Sequence, residues 1–168
     1  MSSILRTGLA GLVLIGVGSC GDEMVSRNSF ESQYAVARNA LEGGQYDRAR
    51  RSYQKMLQQA GPLAPRLQLE YAHTELRAGN FEQAAKIASA LAGSQTGLAR
   101  GAALSVQGTA QHELGMKQLS EGNTAAGRQN LSAANAALEE VLKSNPDLDP
   151  LGAMAGRQAK ISSRLKRL

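Results

Sequence analysis

Apolar side chains in the middle of this chain recur with helical spacing. Tyr46, Ala49, Tyr53, Met56 and Leu57 are separated by steps of 3, 4, 3 and 1, and Phe81, Ala84, Ala88, Leu91 and Ala92 repeat those steps. Such steps set five side chains on one face of an α-helix and leave the opposite face polar. Gly44 and Gly79, 35 residues apart, precede the two copies, and each supplies the left-handed backbone on which a preceding helix can end. The periodicity therefore predicts two helical hairpins, with first helices over about residues 30–42 and 65–78 and second helices opening just after the two glycines.

A third, degenerate copy follows. Leu114-Gly115 and then Gly122-Asn123 lead to Gly127, Leu131 and Ala134, with Gly122 lying 43 residues beyond Gly79. The wider spacing predicts longer helices, over about 97–120 and 124–143. Ala99, Ala103, Val106, Ala110 and Leu114 form the apolar stripe of the first of them, and Asn145-Pro146 ends the pair. Residues 149–168 carry Leu151, Met154, Ile161, Leu165 and Leu168 at helical spacing. They read as a terminal helix covering the apolar face of the last repeat, as solenoids require.

Composition favours the same architecture. Beyond Gly21 only six Val and Ile residues occur, while Ala, Leu, Gln, Arg and Glu are abundant, which favours helix over sheet. Trp is absent and aromatics make up 4% of the chain, so helices must pack through small side chains in close pairs. The fold class expected is all-α: a solenoid of about three helical hairpins, the third extended and degenerate, plus a C-terminal capping helix over residues 147–168.

The first nineteen residues have a different character. Arg6 is followed by an apolar run from Gly8 to Val17 and then by Gly18-Ser19-Cys20. A basic start, a hydrophobic stretch too short to span a bilayer stably and small residues before a cut describe an export signal. Gly16-Val17-Gly18-Ser19-Cys20-Gly21 also fits the glycine spacing of a dinucleotide-binding loop, but no later aliphatic run supplies the parallel strands such a site needs. Residues 21–29 are polar and lack apolar periodicity. They read as a flexible tether reaching roughly 15–18 Å.

Val17-Gly18-Ser19-Cys20 resembles the lipobox of bacterial lipoproteins, in which an aliphatic residue, two small residues and a cysteine direct lipid attachment to the thiol and cleavage before it. Cys20 is the only cysteine of the chain; the alternative is a plain secretory signal ending near a cysteine. The resemblance implies a covalent lipid on Cys20, a signal peptide over 1–19, a lipidated cysteine with its tether over 20–29 and a membrane-anchored protein facing the periplasm. Gly21 directly after the cysteine leans toward the outer rather than the inner membrane, with Asp22 one place later pulling the other way. Multiple acyl chains anchor stably, since each buried methylene contributes about 0.8 kcal/mol.

Over 30–146 the repeats resemble the tetratricopeptide repeat family, in which a Gly, an aromatic, an Ala three residues later and an apolar residue four beyond that mark the second helix. Gly44, Tyr46, Ala49 and Tyr53 fit that pattern, as do Gly79, Phe81, Ala84 and Ala88. Around Val36 and Tyr71 the usual aromatic and Leu-Gly of the first helix are replaced. The resemblance implies a concave groove lined by the first helix of each pair. That places Tyr34, Arg38 and Leu41, then Arg66, Leu69, His73 and Arg77, then His112 and Met116 on the ligand side. Such a basic and apolar lining suits an extended or helical peptide bearing carboxylates; the other reading is an ordinary solvated helix face.

Charge and chemistry narrow the function further. The chain is +5, and Arg6 is the only ionisable side chain before Cys20, so the remainder carries +4, a mild excess that does not mark nucleic-acid binding. His73 and His112 are far apart, no second cysteine exists, and no paired carboxylates suggest a catalytic or metal site. No cofactor, small-molecule substrate or catalysis is expected. Arg157, Lys160, Arg164, Lys166 and Arg167 make the C-terminal helix basic with no acidic residue after Asp149. They either complement the helix dipole or meet an anionic lipid or acidic partner.

The expected function is a lipid-anchored adaptor that recruits protein partners of the cell envelope during envelope, pilus or secretion assembly. It is similar to the small repeat lipoproteins of such systems, including those of tight-adherence (Flp) pilus loci. A self-associating structural lipoprotein without a groove ligand, or an accessory factor to a peptidoglycan enzyme, are the alternatives.

Overall fold

The structure, a computed structural model, describes residues 20–168, with side chains from Ser29 onward. The expected signal peptide and the side chain of Cys20 lie outside the described residues. Seven α-helices follow in chain order: α1 Cys20–Glu42, α2 Tyr46–Leu57, α3 Ala64–Arg77, α4 Phe81–Ser94, α5 Gly97–Ser120, α6 Thr124–Ser144 and α7 Ala153–Leu165. Short 3-10 turns at Gly61–Leu63 and Pro146–Leu148 precede α3 and α7. Each helix packs on the next, and α3 also touches α5, so α1, α3 and α5 form one layer and α2, α4 and α6 the other. The result is the all-α solenoid expected from the repeats.

The three hairpin turns share one geometry. Gly44, Gly79 and Gly122 have φ of 72°, 80° and 81°. At each turn the glycine N–H donates to a carbonyl three residues back, and the next N–H donates to one five residues back: Gln45 to Ala40 at 2.8 Å, Asn80 to Glu75 at 2.9 Å, Asn123 to Gln118 at 2.8 Å. This paired closure satisfies carbonyls that the helix end leaves open. The degenerate third copy therefore turns as the other two do.

Two expectations need correction. α1 is helical from Cys20, so residues 21–29 continue the first helix instead of forming a flexible tether; no proline interrupts this stretch. The last helix starts at Ala153, not at 149, and Leu151 is 93% exposed. Pro150 and the left-handed Gly152 (φ 70°) break the spacing there, and Asp149 caps the helix by accepting from the backbone N–H groups of Met154 and Ala155, each at 2.9 Å. Those bonds hold the Asp149 carboxyl below its ordinary pKa. Ile161 is the buried anchor of α7, seated among Leu131, Ala134 and Leu138.

Small residues set the helix spacing. Ala49, Ala84, Ala88, Ala103, Ala110 and Ala134 are all fully buried. On α5 the stripe read from the sequence faces α3 and α4, with Ala103, Val106 and Ala110 buried and Ala99 exposed. A second face, Gly101, Gly108 and Gly115 at intervals of seven, turns toward α6 and the Asn145–Leu148 turn. A Cβ on Gly115 would lie 3.0 Å from the Gly127 carbonyl oxygen and 3.1 Å from the Leu131 nitrogen, and one on Gly108 would lie 2.7 Å from Leu138 Cγ. The two long helices approach nearly backbone to backbone, which maximises dispersion contact without large side chains.

One buried charge joins three helices. Glu75 on α3 is 2% exposed. Its carboxylate accepts from Arg50 Nε on α2 at 2.8 Å and Arg50 Nη2 at 3.2 Å, and from Asn80 Nδ2 before α4 at 2.6 Å. Bidentate pairing and a third donor offset the cost of removing the charge from water. Tyr53, fully buried in the first repeat, has no such relief: its hydroxyl lacks a hydrogen-bond partner among the described residues, and burial raises its pKa.

Two predictions follow from these contacts. Gly108→Ala and Gly115→Ala each lower unfolding free energy by about 1–3 kcal/mol through overpacking, whereas Gly156→Ala on the open face of α7 raises it by about 0.5–1 kcal/mol; urea melts compare the three, and a stabilising Gly115→Ala would refute the close approach. Arg50→Ala strands the Glu75 carboxylate and costs about 2–3 kcal/mol, while Arg50→Met combined with Glu75→Leu costs less than the single change.

Candidate functional site

The inner layer positions most residues expected to line a groove, but divides them into three groups. At the first group, on α1 and α3, Tyr34 donates its hydroxyl to Glu70 Oε1 at 3.0 Å, and its ring meets Tyr53 edge-on at 6.4 Å. Arg38 bonds Glu70 Oε2 and Glu42 Oε1, both at 2.8 Å. The hydrogen bond to Glu70 is the main reason the Arg38 pKa is raised. Arg38 is thus committed to two internal carboxylates. Arg66 stacks over the Tyr34 ring at 5.7 Å and carries no ion pair among the described residues. Tyr34, Arg66, Phe30, Glu31, Leu63 and Leu67 line a mostly apolar cavity of about 170 Å³.

Leu41 does not belong to the groove. It is 3% exposed and packs with Ala37, Ala40, Ala49 and Tyr53 in the core between α1 and α2. It lies four residues after Ala37, on the stripe turned to α2. Leu69 is half-buried and contributes to the clusters around Leu91 and Val106, so its role is mainly to join α3 to the following repeat.

The second group surrounds His73. A cavity of about 420 Å³ lies between α3 and α5, lined by His73 and Leu76 on one side and by Ala102, Ser105, Val106 and Thr109 on the other. The connection into α7 closes its end with Leu148, Leu151 and Met154. His73 is solvent-exposed, yet protein surrounds it along the inner wall, and this partial desolvation lowers its pKa; Arg38 and Arg77 push the same way, and Glu70 opposes them. Arg77 stacks over Tyr46 at 5.8 Å and has no carboxylate partner among the described residues.

The third group is covered. His112 is half-buried, with Nδ1 2.9 Å from Arg157 Nη1 of α7 and 3.2 Å from Glu113 Oε1. Arg157 also donates to Glu113 Oε1 at 2.7 Å. Met116 stays 37% exposed, away from the cavity. Sequence reasoning missed Glu70, the acceptor for both Tyr34 and Arg38, and missed Leu148, Leu151 and Met154. The first is one acidic residue among many; Leu148 lies in a connection with no period to read, and Leu151 and Met154 read from the sequence as core positions of the terminal helix. Among the described residues no cluster of three or more His, Cys, Asp or Glu side chains is placed to hold a metal ion, and no helix is long and apolar enough to cross a membrane.

Antiparallel helix pairs stacked side by side with a continuous inner layer define a helical-repeat protein. A tetratricopeptide repeat family model matches residues 40–106. That stretch, from the end of α1 into α5, matches tetratricopeptide repeats, with Gly44 and Gly79 at the turns, Tyr46 packed on the first core cluster, and Ala49, Ala84 and Ala88 buried between helices. Curated proteins and solved structures gave no match to the chain. Repeats of this family serve as protein-interaction scaffolds and are generally non-catalytic.

His73 titrates below 6.5, and Glu70→Gln lowers its midpoint further by removing a stabilising charge. A depressed folded-state pKa means that the unfolded chain binds more protons below 6.5, so this histidine reduces stability as pH falls through that region. NMR titration of the His73 ring checks the midpoint; a value above 6.5 would contradict the packed inner wall.

Proposed function

We propose that the protein is a lipid-anchored adaptor of the bacterial envelope, holding a protein partner at the membrane while an envelope, pilus or secretion complex assembles. Anchoring rests on the sequence alone: an export signal ending in Val17-Gly18-Ser19-Cys20, with the only cysteine where a lipobox requires it. A lipid there confines the repeats to the membrane surface and raises the local concentration of whatever they hold.

The observation that carries the partner-binding reading is the open cavity between α3 and α5, whose walls are mostly aliphatic, with Asp149 at the connection into α7 and with Arg77, free of a carboxylate partner among the described residues, acting on His73. Arg38 is engaged with Glu70 and Glu42, so it holds the scaffold and leaves carboxylate recognition to Arg77 and Arg66. The ligand this suits is an extended segment placing one aliphatic side chain against Leu76, Val106 and Leu148, with an acidic group nearby.

In-cell crosslinking of wild type, Cys20→Ala and Arg77→Glu, with partners identified by mass spectrometry and membranes separated by density, tests both parts. Cys20→Ala is expected to leave the membrane fraction, and Arg77→Glu to remain there while losing its partner by tenfold or more. If Cys20→Ala fractionates as wild type, the lipoprotein reading fails; if Arg77→Glu captures the same partner undiminished, the groove reading fails.

A further inference from the structure

We propose that the solvent-facing side of α7 is a contact surface for anionic lipid headgroups. The helix has two unlike sides. Ile161, Met154 and Leu165 pack on α6, together with Leu168 just beyond the helix end. The side flanking that apolar seam carries Lys160, Arg164 and Arg167, spaced 4 and 3 residues apart, and the outermost side carries Gly156, Ala159 and Ser163, all exposed. Lys166 is exposed beside them.

Like Arg66 and Arg77, these four cations stand without a carboxylate partner among the described residues, unlike the arginines that tie the helices together. Arg38, Arg50, Arg100 and Arg157 each meet a carboxylate at 2.9 Å or less. Lys160, Arg164, Lys166 and Arg167 meet none within 4.0 Å among the described residues, and no acidic side chain follows Asp149 in the chain. Arg167 is held along the face by donating to Ser163 Oγ at 3.0 Å.

Shape distinguishes the kind of partner. The face is one helix wide, with small exposed side chains beside the charges and no aromatic group to anchor a protein hot spot. Such a surface matches a plane of uniform negative charge better than a shaped protein epitope. Helix-dipole complementation involves the last turn, and Lys160 lies before it. Each basic residue held near an anionic bilayer raises partitioning about fivefold. The inference does not depend on lipidation of Cys20.

The test uses the full chain with Cys20→Ala, so that Ala159→Cys supplies a single thiol for a polarity-sensitive dye on the proposed face. Phosphatidylcholine vesicles with and without phosphatidylglycerol are compared, with soluble polyglutamate as a third arm. A blue shift that requires phosphatidylglycerol and disappears in high salt is expected. In Lys160→Gln/Arg164→Gln/Arg167→Gln, whose fold is checked by circular dichroism, the lipid needed for half the shift rises about a hundredfold. No phosphatidylglycerol-dependent shift, or an unchanged shift in the triple variant, overturns the proposal. A shift on polyglutamate with none on vesicles also overturns it and assigns the face to an acidic protein.

Discussion

Everything in this fold depends on how closely its helices can approach. Thirteen of the 24 buried apolar residues described are alanine, so little stabilisation comes from any single side chain. It is recovered by bringing backbones together, where many weak dispersion contacts accumulate over a long seam. The glycine face of α5 is the limiting case: it lets the longest hairpin close without large side chains, and it makes that seam intolerant of one extra methyl group. A core of larger side chains would spread the same contact area over wider spacing and accept substitution more readily.

Close spacing also decides what the inner face can offer. Where α1 meets α3, and again where α5 meets α7, polar groups satisfy one another: Tyr34 and Arg38 with Glu70, His112 and Glu113 with Arg157. Between those two stitched regions, α3 and α5 present short aliphatic and hydroxyl side chains and leave a gap. The inner wall is therefore closed at both ends by its own chemistry and open in the middle, which concentrates recognition on a short stretch around His73.

The sequence was most informative where a conformational requirement is tied to one residue type. Gly44, Gly79 and Gly122 mark the turns, and α5 and α6 lie within a residue of the limits read from the glycine positions and the apolar stripe. It was least informative where a position depends on a neighbour's direction. Whether Leu41 faces the groove or α2 differs by about 100° around the helix, and periodicity alone does not locate the crossing. The second face of α5 was hidden because glycines carry no hydropathy signal. A polar helix start such as that of α1 has no stripe to announce it, and an exposed Leu151 is indistinguishable from a core leucine until Gly152 is known to turn the chain. Glu70 and Glu75 are adjacent in type and only a turn apart, yet one serves the inner wall and the other is sealed between layers.

The clasp around Glu75 bears on how such a chain can grow or be rebuilt. Its carboxylate draws one donor from the preceding repeat and another from its own hairpin turn, so the second repeat is not an interchangeable brick. Copying residues of α3 and α4 into a new place in the array would import a sealed negative charge without the guanidinium that neutralises it, unless α2 came too. Lengthening by duplication, or swapping of modules between relatives, is thereby restricted to cuts that keep α2, α3 and α4 together, and the smallest heritable unit of this solenoid is larger than the repeat that its period displays.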